Sequence, residues 1–434
     1  MKSRGVARGV ARVLRRTIAA VCVCAATTGS LQAQGVTTDD TLRLTLHDVE
    51  SRVLRDNPLV RISQLDASLA RADIVTARLR PNPQLNVNAD ILPTGGGRYD
   101  PNSKQYGLQL QLPVERGNKR GLRTAVAERV ADVTEARIRD VAREQLVAAR
   151  IAWSELQAAH ASLRIGELTY STFDRLVELT RSRFEARQIS EVEYSRIIVE
   201  RGRASVERDA RRLNVRQAET AIATLLGVAG PIVPRDSLVP LTRNSLTLDS
   251  LVTLALLHRP DVDAARRTAA VAAADQRLQE AIAHPDLSLS LDYTMQQTIP
   301  MYGVSVSVPI PQFNRNQGER QKVLVRQSQA RLQYDAIALQ VRGDVKRALD
   351  AFESNRGTLA RFMDSGSDGI LRRALAAKSS AEFAYRNGAT SLLELLDAER
   401  TYNDIYRAYV DVVAQFNKNS ALLDEAVGVL PEHD

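Results

Sequence analysis

The chain has 434 residues, an aromatic content of only 4% and a formal net charge of +8 at pH 7. This length supports one large core or two domains, and the shortage of aromatic residues favours long helices over a compact α/β enzyme. The net positive charge suggests a nucleic-acid-binding protein until the basic residues are located along the chain.

Residues 1–33 have the features of a secretory signal peptide. Six basic residues precede a short apolar run at 18–26, and the segment ends at Ala33. The run is too short to cross a bilayer as a helix. Removing the segment takes six of the 59 Lys and Arg and none of the 51 Asp and Glu, which leaves a net charge of about +2. The basic character belongs to this segment, so no nucleic-acid partner is predicted.

The chemistry-bearing residues predict no catalysis. Both cysteines, Cys22 and Cys24, fall in the predicted signal peptide, so the mature protein has no disulfide and no thiolate site. A lipoprotein is the alternative, but valine precedes each cysteine where a lipidation site needs Gly or Ala. The five histidines are scattered, and neither a phosphate loop nor a nucleophile elbow is present. The sequence therefore predicts no metal site, no cofactor and no enzyme.

The rest of the chain reads as two copies of one unit. Residues 44–46 recur at 246–248, and Asn57-Pro58 corresponds to Arg259-Pro260, both at an offset of 202 residues. Internal repetition of this kind indicates that the two halves of the chain form the same structural unit. We expect a first repeat at 34–227, a proline-bearing linker at 228–243 and a second repeat at 244–434.

Each repeat predicts a helix followed by two strands. The helices are expected at about 48–80 and 250–282. Apolar and polar residues then alternate in four segments, at 85–91, 108–112, 287–293 and 303–308. The polar positions hold only Asn, Gln, Ser, Gly and Asp. This pattern is typical of membrane β-strands with an apolar outer and a polar inner face, although a soluble half-buried hairpin has the same alternation.

Long helices complete each repeat. The proline-free stretch 115–184 predicts a helix of about 100 Å, and its counterpart is interrupted at 364–369. The last helix has a coiled-coil seam with seven-residue spacing, formed by Leu395, Tyr402, Tyr409, Phe416 and Leu423. The first repeat keeps this spacing more weakly at Val192, Val199, Val206 and Leu213. An intramolecular helical hairpin also accounts for these seams.

Four strands are too few to close a barrel, and open strand edges cannot face lipid. Three copies supply twelve strands, enough for an aqueous lumen, and gather the helices into a hollow cylinder. Two or four copies satisfy closure less well but remain compatible with the sequence. The predicted fold class is an α+β membrane protein: a trimeric twelve-stranded β-barrel continuous with an α-helical barrel.

Four segments of this pattern resemble the TolC-like outer-membrane efflux family, and the resemblance covers nearly the whole mature chain. Two of them are 385–398 (YRNGATSLLELLDA) and its degenerate partner 184–193 (FEARQISEVE). The segments 307–318 (SVPIPQFNRNQG) and 113–120 (PVERGNKR) resemble its heavy-metal, cobalt–zinc–cadmium branch. The resemblance implies a homotrimer in the outer membrane of a Gram-negative bacterium, surrounded by outer-membrane lipid, with helices that extend into the periplasm. Its partners would be a periplasmic adaptor (membrane fusion) protein and an inner-membrane RND-type pump.

The resemblance also assigns roles to individual residues. It implies a channel constriction at Glu394 and Asp397, a gate tyrosine at Tyr385 and an acidic gate partner at Glu193. The implied tip turns, which would dock the adaptor, comprise Arg187, Gln188, Ile189, Ser190, Gly388, Ala389, Thr390 and Ser391. Two positions depart from the family pattern, since a basic residue is expected at Thr390 and a glycine at Arg187.

A threefold axis would bring six carboxylates of Glu394 and Asp397 together, and such a ring favours cations. The leading functional prediction is a passive exit duct for substrates that an energised pump delivers. The duct of a type I protein secretion system is an alternative within the same fold. A periplasmic coiled-coil scaffold without a barrel is an alternative of another class.

Overall fold

The computed structural model describes residues 41–91, 104–240, 247–296, 299–363 and 369–428. The predicted signal peptide with both cysteines lies outside these ranges, as do the hairpin loop near 93–101 and most of the predicted break at 364–369. Within the described ranges, no helix is both long enough and apolar enough to cross a membrane.

In each repeat, two short helices are followed by two long strands and then by long helices. The helices are α1 (Leu46–Asp56), α2 (Pro58–Arg78), α3 (Lys119–Glu185), α4 (Glu191–Leu226), α5 (Leu248–His258), α6 (Pro260–Ile282), α7 (Gln317–Met363), α8 (Ile370–Arg386) and α9 (Leu392–Val427). The strands are β1 (Leu42–Leu44), β2 (Gln84–Ile91), β3 (Lys104–Val114), β4 (Ile232–Pro234), β5 (Leu287–Gln296) and β6 (Ile299–Ser307). Among the described elements, β1 and β4 have no counterpart in the second repeat, and α7 with α8 corresponds to the single helix α3.

The prediction of one continuous helix at the start of each repeat, at about 48–80 and 250–282, was wrong. A proline divides each of these segments into two helices. Asn57 and Arg259 adopt ψ angles of 127° and 124°, outside the helical range. A proline clashes with a helical conformation of the residue before it, but its fixed φ suits the first position of a helix. Pro58 and Pro260 therefore end one helix and begin the next.

Each helix break is bonded to the end of the last helix in its own repeat. The Asn57 side chain accepts hydrogen bonds from two backbone N–H groups of α2, and its Nδ2 donates to the carbonyl oxygen of Leu225, 2.8 Å away. In the second repeat, a guanidinium nitrogen of Arg259 donates to the carbonyl oxygen of Ala426 at 3.2 Å. Two different side chains thus cap equivalent helix ends.

The four long strands form one antiparallel sheet in the order β2-β3-β5-β6. Its register aligns residues of one kind across all four strands. One apolar row is Leu85, Leu110, Leu291 and Val304. The adjacent polar row is Asn86, Gln109, Asp292 and Gly303. Since neighbouring rows project to opposite sides, the predicted alternation is confirmed, with one apolar and one polar face.

The long-helix prediction is also confirmed. Helix α3 has 67 residues, a length of about 100 Å. The seam of α9 is buried at Leu395, Tyr402, Phe416 and Leu423 and half-buried at Tyr409. The weaker seam on α4 lies exposed, at Val192, Val199, Val206 and Leu213. Within the described chain, the seam of α9 is therefore covered and the seam of α4 is not.

Candidate functional site: the two helix tips

The helix pairs α3–α4 and α8–α9 are joined by turns of the same construction, here called the first tip turn (186–190) and the second tip turn (387–391). Arg187 and Gly388 adopt left-handed conformations with φ of 59° and 73°. The N–H of Gln188 donates to the carbonyl of Arg183 at 2.8 Å, and that of Ala389 to the carbonyl of Ala384 at 2.9 Å. This i to i−5 bond beyond a left-handed residue defines a Schellman motif.

Arg187 therefore replaces the expected glycine without changing the turn. A non-glycine residue in the left-handed region costs roughly 1–2 kcal/mol. A Cβ added at Gly388 would meet no atom within 4 Å, so the second turn has space for a side chain as well. The departure at Arg187 places an exposed guanidinium at the tip and leaves the backbone path intact.

The helices that follow the tip turns, α4 and α9, both begin after an N-cap serine. The glutamates three residues after these serines form different hydrogen bonds. Ser190 Oγ accepts from the N–H of Glu193, and the Glu193 carboxylate accepts from the N–H of Ser190, both at 3.3 Å. This reciprocal pair is a capping box. Ser391 Oγ accepts from the N–H of Glu394 at 3.3 Å, but no bond returns from the Glu394 carboxylate in the described contacts.

The Glu394 carboxylate and that of Asp397 consequently face solvent. Both side chains are exposed, and three residues of separation places them on one side of α9. Neither forms an ion pair with a residue in the described ranges. Thr390, the second departure from the family pattern, lies in the second tip turn between Gly388 and Ser391. Its side chain is half-buried. The site thus has two uncompensated negative charges beside an exposed turn.

Tyr385 lies inside the tip rather than on its surface. It is buried in a cluster with Phe173, Ile197 and Leu395, and the Arg183 guanidinium lies 5.3 Å from its ring centroid. Burial raises the pKa of the Tyr385 hydroxyl; Arg183 opposes the rise, and the negative charge of Glu193 adds to it. The charge of Glu193 is therefore close enough to affect the Tyr385 hydroxyl. The Glu193 carboxylate itself accepts a hydrogen bond from Ser190 in the first tip turn.

Sequence reasoning missed the polar contacts that tie α9 to the first helix pair. Arg400 pairs with Glu200, and Arg407 pairs with Glu207. The partners on each helix are seven residues apart, so the two ion pairs repeat with the coiled-coil period. Spacing within α9 alone could not find them, because their acidic partners lie 200 residues earlier in the chain.

A buried ion pair joins α8 to α9 and was also missed. Lys378 Nζ lies 3.2 Å from Glu399 Oε2, and both side chains are almost completely shielded from solvent. Burial raises the pKa of Glu399 to about 7, although Lys378 opposes the rise. Lys378 Nζ also lies 4.9 Å from the centroid of the Tyr402 ring. No spacing rule marks these residues, because Glu399 lies between the seam positions Leu395 and Tyr402 and does not share their seven-residue spacing.

No group of three or more His, Cys, Asp or Glu side chains in the described ranges is arranged to hold a metal ion. Among the described residues, the tip therefore has exposed carboxylates but no set of ligands that could coordinate a metal ion. Together with the two-faced sheet and the long helices, this arrangement is that of a channel protein that spans an outer membrane and projects a helical tip.

The comparisons agree with that class. The family model described as "Outer membrane efflux protein" matches residues 49–228 and 251–429, and the chain belongs to this family. It is 24% identical to the cobalt-zinc-cadmium resistance protein CzcC of Cupriavidus metallidurans, over 82% of this chain and 83% of that protein. It is 25% identical to the cation efflux system protein CusC of Escherichia coli, over 64% of this chain and 61% of that protein.

Solved structures show the same fold. A crystal structure of CusC superposes with a TM-score of 0.71 at 21% identity, covering 89% of this chain and 93% of that one. The CmeC outer-membrane channel of Campylobacter jejuni has a TM-score of 0.71 at 13% identity, covering 91% and 90%. The predicted family, fold class and outer-membrane location are confirmed, and the protein is an outer-membrane efflux channel.

Proposed function

We propose that this channel is a homotrimer and the passive exit duct for heavy-metal cations in a tripartite efflux system. A periplasmic adaptor protein would join its tip to an inner-membrane RND-type pump, which supplies the energy. The observation that carries the cation assignment is the exposed, uncompensated carboxylate pair Glu394 and Asp397 beside the second tip turn.

The trimer is supported by the open sheet. Strands β2 and β6 are its two edges, and unpaired edge groups are too costly to leave in lipid. The exposed apolar face includes Leu85, Val87 and Val304, which suits contact with acyl chains. Three copies join β6 of one to β2 of the next and close twelve strands around the polar face.

The metal assignment is supported by the tip charges and by the relatives. In a trimer, three copies of Glu394 and Asp397 surround one axis, and like-charge crowding there lowers the electrostatic energy of an entering cation. The similar proteins include a cobalt-zinc-cadmium resistance protein and a cation efflux protein. We place the constriction at these carboxylates and the adaptor contact on the exposed residues of both tip turns, Arg187, Gln188, Ser190, Gly388, Ala389 and Ser391.

Single-channel recording of the double variant Glu394→Gln/Asp397→Asn tests the constriction. We expect the permeability ratio of cations over anions to fall toward unity, because both substitutions remove charge while keeping side-chain size. The control is Glu191→Gln, which neutralises an exposed carboxylate in the first turn of α4. An unchanged ratio in the double variant, or an equal fall in the control, would refute this role.

The substrate class is tested separately in a strain that lacks the gene. We expect increased sensitivity to heavy-metal salts and unchanged sensitivity to organic drugs, with resistance restored by the wild-type gene. Sensitivity to drugs alone would show that the metal assignment is wrong while leaving the channel intact.

A further inference from the structure

The segment between β6 and α7 exposes two large apolar side chains. Ile310 and Phe313 are each 86% exposed, and no large apolar side chain in the described ranges is more exposed. Two large apolar side chains exposed within four residues of each other are unfavourable in water. The pair therefore calls for a contact that the isolated chain does not supply.

This segment, residues 308–316, is held in place by hydrogen bonds. Arg315 Nε donates to the carbonyl of Pro311 at 3.1 Å, and Gln317 Nε2 donates to the carbonyl of Phe313 at 3.1 Å. Asn316, in a left-handed conformation with φ of 60°, donates through Nδ2 to the carbonyl of Gln279 on α6 at 2.9 Å. The exposure of Ile310 and Phe313 thus belongs to an ordered loop fixed to a neighbouring helix.

The first repeat has no such pair at the equivalent place. Its connection from β3 to α3 runs over residues 115–118, shorter than 308–316, and holds no large apolar residue. It also ends at an asparagine in the left-handed conformation, Asn118 with φ of 54°. The apolar loop is therefore an addition to the second repeat and is not required by the turn itself.

The loop begins where the apolar stripe of β6 ends. Every second residue from Val304 to Ile310 is a large aliphatic side chain, with exposed fractions of 72%, 64%, 42% and 86%. Val304 and Val306 share one face of β6, because alternate residues of a strand lie on one face, and the strand ends at Ser307. Val308 and Ile310 follow directly, in the segment that connects the sheet to α7.

Basic side chains surround this end of the sheet. Arg315 lies in the loop and Arg320 in the first turn of α7; Arg116 lies in the connection from β3 to α3 and Arg120 in the first turn of α3. All four side chains are exposed. None of them forms an ion pair with a residue of the described chain. Apolar side chains bordered by arginines are typical of the boundary between acyl chains and phosphate groups.

We propose that residues 308–316 form a phospholipid-binding anchor. Ile310 and Phe313 insert at the edge of the membrane leaflet that faces the helices, and Arg315 and Arg320 pair with the phosphate groups of anionic phospholipids. This inference rests on the proposed function only in requiring the trimer to span the membrane. The alternative occupant, a neighbouring copy of the chain at the subunit boundary, is an outcome of the test.

Tryptophan fluorescence of trimers in vesicles distinguishes these contacts. The native chain has one tryptophan, Trp153, which is buried among helices and supplies a constant background. Phe313→Trp adds a reporter at the loop, and Val192→Trp adds a control at an exposed position on α4. The vesicles contain phosphatidylethanolamine and phosphatidylglycerol with brominated acyl chains, which quench only nearby indoles, and iodide serves as the aqueous quencher.

We expect the emission added by Phe313→Trp to be lost with brominated lipid and retained with iodide, and the reverse for Val192→Trp. Quenching of the loop reporter by iodide alone would overturn the anchor. Quenching by neither agent would place Phe313 against a second copy and also overturn it. Trimer formation and conductance are measured in the same vesicles, so a failure of the channel is seen separately from a failure of the anchor.

The arginine contacts have their own readout. With bromine on only one lipid at a time, we expect brominated phosphatidylglycerol to quench the loop reporter more than brominated phosphatidylethanolamine does. Arg315→Gln/Arg320→Gln should abolish this preference without changing conductance. Equal quenching by the two lipids in the parent protein would overturn the pairing of these arginines with anionic lipid, because only the phosphate of phosphatidylglycerol lacks an ammonium group in the same headgroup.

Discussion

The buried pair Lys378 and Glu399 predicts a specific pH dependence of stability. The pKa of Glu399 rises from an ordinary value of 4.5 to about 7 in the folded protein, mainly because burial disfavours the carboxylate. A rise of this size corresponds to about 3 kcal/mol. Between these two values the unfolded chain has lost its proton while the folded chain retains it. The contribution is therefore complete below pH 4.5 and is lost as the pH rises through 7.

Glu399→Gln should remove this dependence, because a glutamine does not ionise. We expect the free energy of unfolding of the wild type, relative to the variant, to fall by about 3 kcal/mol between pH 4.5 and 8. Guanidinium unfolding of detergent-solubilised protein, followed by helical circular dichroism at several pH values, measures this difference. The absolute stability of the variant also reflects Lys378, which keeps a second carboxylate, that of Glu382, at 3.8 Å.

The control is Glu353→Gln on α7. Glu353 pairs with Arg356, and both side chains are 46% exposed, so the substitution should change stability by less than about 1 kcal/mol at any pH. Parallel pH profiles for the wild type and Glu399→Gln would refute the reasoning. They would show that Glu399 remains ionised throughout and that the lysine compensates its charge fully.

Two further predictions concern the gate and the helix breaks. Tyr385→Phe removes a buried hydroxyl beside Arg183, and we expect higher closed-state conductance and greater antibiotic leakage; unchanged values in both assays would exclude the tyrosine latch. Asn57→Ala removes the cap of α2 and the bond to Leu225, and we expect a loss of about 2–3 kcal/mol in unfolding free energy. Thr76→Ala, which removes one exposed hydroxyl bond within α2, is its control, and an equal loss in both would contradict the capping role.

The strands, long helices and coiled-coil seam of α9 were predictable because each is a local periodic pattern. Alternation in β2, β3, β5 and β6 and seven-residue spacing in α9 reflect which side of one element meets water or lipid. The helix breaks were missed for a local reason as well. Asn57-Pro58 and Arg259-Pro260 were recognised as matching positions of the two repeats, but the effect of proline on the preceding residue was not applied to them.

The candidate site was predicted only in part. The tip turns and Glu394 were identified through the resemblance of segments 184–193 and 385–398 to the efflux family, and the left-handed Arg187 shows that the first turn keeps its geometry without glycine. The roles assigned to the constriction, gate and docking surface stay predictions. The environment of Tyr385 depended on packing between α8 and the first helix pair, which no pattern within α8 describes.

By itself, the sequence determined the duplication, the two-faced strands and the lengths of the helices, since these depend on the order of side chains along single elements. Only the tertiary structure decided which charges are compensated. Lys378 meets Glu399 across two helices, Arg400 meets Glu200 across the two repeats, and Glu394 meets no partner in the described chain. An electrostatic interaction depends on distance and burial in space, and separation along the chain specifies neither.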